Sequence, residues 1–285
     1  MRHAGANTRL PSNLIKAAAM LHTEAALTAR DRAAADLHIE RARAALDSVS
    51  ADEARRLRPF VDRWHALAVV AYATVGEVGR AHQEVDRALR ENIENVDARL
   101  ANGALYEMDA RFAEPNLRGR WNNDDPKIKF DVHARLAAAL TEYNKILAIR
   151  PTFLEARLRL GWVLFLEVSS SAHIREQLEK ALASNREELQ YLAHLFLGAL
   201  EERDNYLDAA AKEYTASHSI AKRQSSFLAL IRVDQALGRN DEAANLASDL
   251  VATPDVAADD PWKTFSAGLT GGELIEWLRH EAQSQ

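Results

Sequence analysis

The chain contains no cysteine, which excludes disulfides, thiolate metal sites and a cysteine nucleophile. Eleven glycines and seven prolines in 285 residues are too few for the tight turns of a strand-rich fold. Alanine, leucine, glutamate and arginine, all strong helix formers, are abundant instead. No apolar run approaches the ~20 residues that cross a bilayer. The best N-terminal stretch, Leu14 to Leu21, carries Lys16 and runs into His22 and Glu24, so it reads as an amphipathic helix rather than a signal core. Positive charge is not in excess either: 36 Lys and Arg stand against 42 Asp and Glu, for a formal charge of −6. With both signs interspersed, this argues against a nucleic-acid or anionic-membrane surface. The mildly basic stretch to Arg58 is read as a solvated helix face. Cytoplasm is the default compartment, with the periplasm or secretion left open if a targeting segment has been removed.

Catalytic signatures are missing as well. There is no phosphate loop, no dinucleotide fingerprint, no nucleophile elbow and no zinc helix. Histidines at 22, 38, 65, 82, 133, 173, 194 and 218 are scattered about one per helix, without a second ligand at i+3 or i+4 apart from generic acids such as Glu176 after His173, so no metal site and no cofactor are expected. The stretch Asn122 to Asp125 has the look of a calcium-loop fragment, but position twelve is His133 where such a loop needs Glu. The expectation is no catalytic residue and no enzyme, although carboxylates such as Glu107 and Glu202 leave a helical enzyme as the least favoured reading.

What the chain does contain is a repeat. A small residue follows an apolar one inside a helical pattern at Ala68, Gly161 and Gly198, a second, alanine-bearing helix follows each, and Gly103 and Ile231 hold the same place in two further units. Trp64, Leu67 and Ala68, then Ala81, Val85 and Ala88, resemble the tetratricopeptide repeat, a 34-residue helix-turn-helix unit. Leu160 and Gly161 with Leu178 and Ala181, and Leu197 and Gly198 with Ala210 and Tyr214, repeat the pattern; Gly238 and Ala243 mark a weaker unit. The resemblance implies an all-α fold, a right-handed α-α superhelix or tetratricopeptide-like solenoid, because no helix pair can bury its apolar face alone.

The intervals between the small positions are 35, 58, 37 and 33 residues. One is 24 longer than the 34-residue unit, which places an insertion at about 113–131, carrying Arg118, Arg120 and Trp121. Residues 1–58 are expected to form a degenerate terminal repeat, 59–254 the repeats, and 255–285 capping helices in which Trp262 and Trp277 seal the end; the whole is expected to be one continuous domain. A loop as long as the insertion is either functional or merely packed over its neighbours.

In the resembled family, a concave groove is lined by first-helix positions two, five, nine and twelve. The register carries this to Glu155, Leu158, Trp162 and Phe165, and to Leu192, Leu195, Ala199 and Glu202. The Lys and Asn with which the family's carboxylate clamps hold a peptide C-terminus are replaced here, at His65 and Val69, Leu158 and Trp162, and Leu195 and Ala199. The resemblance therefore implies a scaffold that binds a protein or peptide partner through an apolar groove flanked by Glu155 and Glu202. Self-association, as a structural or homo-oligomerising assembly subunit, is the alternative.

Overall fold

The computed structural model describes residues 12–113, 126–253 and 260–261, with the side chains of 111–113 and 126–131 excepted. The described residues form helices and the turns between them, without a strand. The chain divides into two compact units: residues 1–105 with 274–285, and residues 106–273. The expected sealing tryptophans Trp262 and Trp277 lie outside the described residues.

The first unit holds α1 (Ser12–Leu27), α2 (Arg32–Asp47), α3 (Ala51–Arg56), α4 (Arg58–Thr74), α5 (Val78–Glu91) and the first part of α6 (Val96–Ala113). Asp31 caps α2 by accepting the Ala34 N–H at 2.8 Å. Ser50 starts the short α3 as its N-cap, its hydroxyl oxygen accepting the Glu53 N–H and its O–H donating to the Glu53 carboxylate. Every residue from Trp64 to Ala73 is buried, so α4 is the central helix of this unit. The Trp64 indole N–H donates to Thr23 Oγ1 on α1 at 3.0 Å. Beside it Glu84 of α5, also buried, takes His65 Nδ1 at 2.7 Å and the Arg43 guanidinium at 2.5 Å. Burial alone would raise the Glu84 carboxyl, but the His65 hydrogen bond and the Arg43 charge outweigh it and hold the group below its ordinary range.

The second unit continues along α6 and comprises α7 (Pro126–Ile149), α8 (Leu154–Leu166), α9 (Ser171–Ala181), α10 (Glu187–Arg203), α11 (Leu207–Ile220), α12 (Gln224–Ala236) and α13 (Asn240–Ala252). From α8 on, these pair as antiparallel hairpins. Much of the excess length expected between α6 and its partner is itself helix: α7 begins at Pro126 and runs 24 residues, where α9, α11 and α13 have 11, 14 and 13. Proline suits a first helical turn, where its missing N–H is not needed.

The small residues do in the structure what the repeat pattern requires. A Cβ built on Gly161 would lie 2.6 Å from Leu178 Cδ2, and one on Gly198 would lie 2.4 Å from the Tyr214 ring. In these two hairpins, α8–α9 and α10–α11, the first helix is thus pressed against a large residue of the second, and only glycine leaves the space. On the second helices Ala81, Ala88, Ala181 and Ala210 are fully buried and Ala243 nearly so.

A further regularity lies in the turns. After α4, α8, α10 and α12 one residue adopts a positive φ: Gly76 at 77°, Val168 at 54°, Asn205 at 65° and Gly238 at 76°. Each donates its N–H to the carbonyl three residues back, and the next residue donates to the carbonyl five back, as in Gly76 to Ala73 with Glu77 to Tyr72, and Val168 to Phe165 with Ser169 to Leu164. This is the Schellman ending, which satisfies carbonyls that the helix end would otherwise leave unpaired. Val168 is the costly member, since a β-branched residue at positive φ is strained and its side chain is 77% exposed.

Two substitutions check this packing by urea denaturation. Gly198→Ala is expected to lower the stability of the second unit by about 1–3 kcal/mol through overpacking against Tyr214. Val168→Gly is expected to raise it by about 1 kcal/mol by relieving the strained turn; no gain there would contradict the turn assignment.

Candidate functional site

The residues carried over to the groove fall on two adjacent first helices of the second unit, Glu155, Leu158, Trp162 and Phe165 on α8, and Leu192, Leu195 and Glu202 on α10. Successive members sit three, four or seven residues apart, so each set forms one stripe. Leu158 and Leu192 are fully enclosed, at 0% exposure, and belong to the interior between the helices. Leu195 at 6% and Trp162 at 8% present only an edge, while Phe165 and Glu202 are half-buried. The apolar surface is therefore narrower than the register implies, and its centre is aromatic.

Trp162 stacks on Phe165 with ring centroids 5.6 Å apart and on Phe196 of α10 at 4.7 Å, offset pairings that add stabilisation beyond buried area. The Arg203 guanidinium lies 5.1 Å above the Phe165 ring and donates to Ser171 Oγ at 2.9 Å, closing one end of the stack with a cation–π contact.

The flanking carboxylates are both occupied. Arg232 of α12 grips Glu202 with two parallel N–H bonds of 2.7 Å, and the Tyr214 hydroxyl donates to the same group at 2.7 Å. The Arg232 hydrogen bond is the main reason that the Glu202 carboxyl is held below its ordinary value, and its burial opposes the shift. Glu155 meets Arg186 Nη1 at 3.0 Å and Arg159 Nε at 3.5 Å. The face thus offers aromatic surface between ion pairs that are already neutralised.

Behind it lies a polar cluster that carries no signal in the sequence. Arg159 of α8, 2% exposed, reaches Glu107 of α6 at 3.4 Å, and the fully buried Tyr143 of α7 donates its hydroxyl to the same Glu107. Burial and the neighbouring Glu107 charge push the Tyr143 phenol well above its usual range. Histidine pairing was also missed by spacing within one helix: His22 and His38, 16 residues apart on α1 and α2, face each other Nδ1 to Nδ1 at 3.2 Å. Their ring centroids are 5.5 Å apart, which puts the rings head to head, as in a hydrogen bond. Among the described residues no group of three or more His, Asp or Glu is arranged to hold a metal. Asn122 to Asp125 and the insertion residues Arg118, Arg120 and Trp121 lie outside the described residues.

Removing one partner of the buried cluster strands the others. Arg159→Ala should destabilise the second unit by about 3–5 kcal/mol by removing the buried cation that faces Glu107, measured by urea denaturation; a change below about 1 kcal/mol would contradict the cluster's role. Because the folded state depresses the Glu202 carboxyl, its contribution is fully present above the ordinary value of 4.5 and is lost as pH falls through the depressed value. The stability difference between the native chain and Glu202→Gln should therefore shrink on acidification from about pH 5 to pH 3. A difference that grows on acidification would contradict the sign.

No protein-family profile matches the chain, and no curated protein sequence matches it. Among solved structures it resembles PilW, described as a widely conserved type IV pilus biogenesis factor, with 18% identity and a TM-score of 0.53 over 79% of this chain and 93% of that one. A structure of MamA aligns with 19% identity and a TM-score of 0.46 over 64% of this chain and 91% of that one. At such identities the likeness concerns the fold alone. In its fold the chain is an all-α, tetratricopeptide-like solenoid of helical hairpins.

Proposed function

We propose that the α8–α10 face is a docking surface for an apolar, aromatic-bearing segment of a polypeptide, and that the chain serves as a protein-interaction scaffold. The observation that carries the reading is the stack of Phe165, Trp162 and Phe196, capped by Arg203 and bordered by Glu155 and Glu202. Aromatic side chains set in a well-packed surround are the residues that dominate protein interfaces.

The ionic surround sets the kind of partner. Since Arg232, Arg186 and Arg159 already satisfy the two glutamates, a basic ligand gains little there and would have to break good hydrogen bonds to compete. An uncharged ligand side chain against the exposed edge of the aromatic stack meets no such cost, and selectivity then comes from the shape of the stack. In the proposed role Leu195 borders the site and Phe165 makes the widest contact, while Leu158 and Leu192 hold the two helices together beneath it. No described helix is long and apolar enough to cross a membrane.

Trp162→Ala and Leu195→Asp, in chains whose helicity is unchanged, should each weaken the affinity for a native polypeptide partner by at least about tenfold, measured by titration calorimetry. Unchanged affinity in both would overturn the assignment of the face.

A further inference from the structure

Two histidines of the first unit stand as a pair that no other function absorbs. His22 of α1 and His38 of α2 meet Nδ1 to Nδ1 at 3.2 Å, and both are carried on packed helix rather than on a loop. Thr23, next to His22, is fully buried, donates to the Ala19 carbonyl at 2.7 Å and accepts the Trp64 indole N–H at 3.0 Å. Ile39, next to His38, is fully buried as well. Side chains held on such elements keep their mutual geometry better than side chains on loops do. The pair nonetheless reaches solvent. Both histidines are only half-buried, and their chain neighbours Leu21 and Leu37 are 70% and 49% exposed, so a small ion has a path in.

The separation of the two nitrogens is that of a chelate. Two nitrogens bound at 2.0–2.1 Å to a tetrahedral zinc ion stand about 3.3–3.4 Å apart, close to the 3.2 Å between these two. In the neutral pair one Nδ1 carries a hydrogen and donates it to the lone pair of the other. When that hydrogen is carried on Nε2 instead, both Nδ1 lone pairs are free. A swing of the rings about χ2, a broad torsion for histidine, then turns the lone pairs to one point. The ion takes the place of the shared hydrogen, and each ring stays neutral with its own hydrogen on Nε2.

The donors also set which ions fit. Imidazole nitrogen suits zinc, copper(II) and nickel(II), whereas calcium and magnesium require oxygen ligands. Among the described residues no third His, Asp or Glu joins the two to make a set, so the chain fills two positions and water fills the rest. Binding is therefore weaker than in a closed site of four protein ligands. The Arg41 charge is felt at His22 and opposes a cation, but Arg41 is exposed and water and salt screen it.

We propose that His22 and His38 form a two-ligand site for a borderline divalent cation, zinc above all, that bridges α1 to α2. The bridge joins two helices across 16 residues of chain. An ion that binds the closed hairpin and not the opened one shifts the balance towards the closed form by mass action. The site makes the opening of the α1–α2 hairpin dependent on metal, separately from whatever the α8–α10 face binds.

Calorimetric titration of zinc chloride into the full chain at neutral pH tests the site. The native chain should take up zinc at this site with one ion per chain, and magnesium chloride should give no such uptake. His22→Asn and His38→Asn should each weaken the uptake by at least about tenfold, at unchanged helicity, and His173→Asn, at the exposed start of α9, should leave it as it is. Two measurements on the native chain do not depend on how the variants fold. Zinc should move the Nδ1 resonances of His22 and His38 in nitrogen NMR, and at ten times its dissociation constant it should slow amide exchange in α1 and α2 by about tenfold. Equal zinc uptake by both asparagine variants and the native chain, or ring resonances that do not respond to zinc, would overturn the site. A scattered mass that doubles with zinc in the native chain alone would assign the open positions to a second chain and overturn their filling by water.

Discussion

In the α8–α9 and α10–α11 hairpins the two helices approach so closely that one of them has room for no side chain at the contact, and much of the second unit follows from that steric fact. Leu178 occupies the space over Gly161, and the Tyr214 ring the space over Gly198. With the hairpins closed in this way, Leu158 and Leu192 are sealed between them and the Trp162, Phe165 and Phe196 rings are brought into one stack. Tyr214 serves twice, since its ring fills the space over Gly198 and its hydroxyl reaches Glu202. The packing of the hairpin and the electrostatics of the face are therefore set by the same residue.

Electrostatics then shapes what the face can accept. A carboxylate at the edge of an apolar surface would ordinarily invite a basic ligand, but Glu202 is held by Arg232 and Tyr214 and Glu155 by Arg186 and Arg159. Desolvating such satisfied pairs costs less than desolvating a bare charge, so an uncharged aromatic segment can lie across them. Asp260 shows the same economy at the α12 N-terminus, where a distant carboxylate accepts the Ser225 N–H in place of a missing local cap.

The fold was legible because a repeat writes its packing into residue types at fixed spacing. Gly161, Gly198, Ala210 and Tyr214 could be placed from the sequence since each answers a steric demand that recurs every 34 residues or so. The turns were less legible. A Schellman ending is a backbone geometry, and Val168 and Asn205 meet it without the glycine that would have announced it. The long α7 was hidden because the register counts residues without distinguishing helix from loop. Within the site, Trp162 and Phe165 stood out as aromatics on a first helix, whereas Phe196 and Arg159 did not. An arginine in an amphipathic helix looks the same in sequence whether it meets water or a buried glutamate, and the partners Glu107 and Asp260 lie 52 and 35 residues from the groups they serve.

The claim on which the functional reading turns is that Phe165 faces a polypeptide rather than water. Replacing Phe165 with a photoreactive phenylalanine analogue and mapping the cross-links by mass spectrometry would test it most directly. The account predicts cross-links to an apolar, aromatic-bearing segment of a bound polypeptide partner. Adducts with solvent alone, under conditions where the same analogue at the exposed Tyr206 gives no more than that, would contradict it.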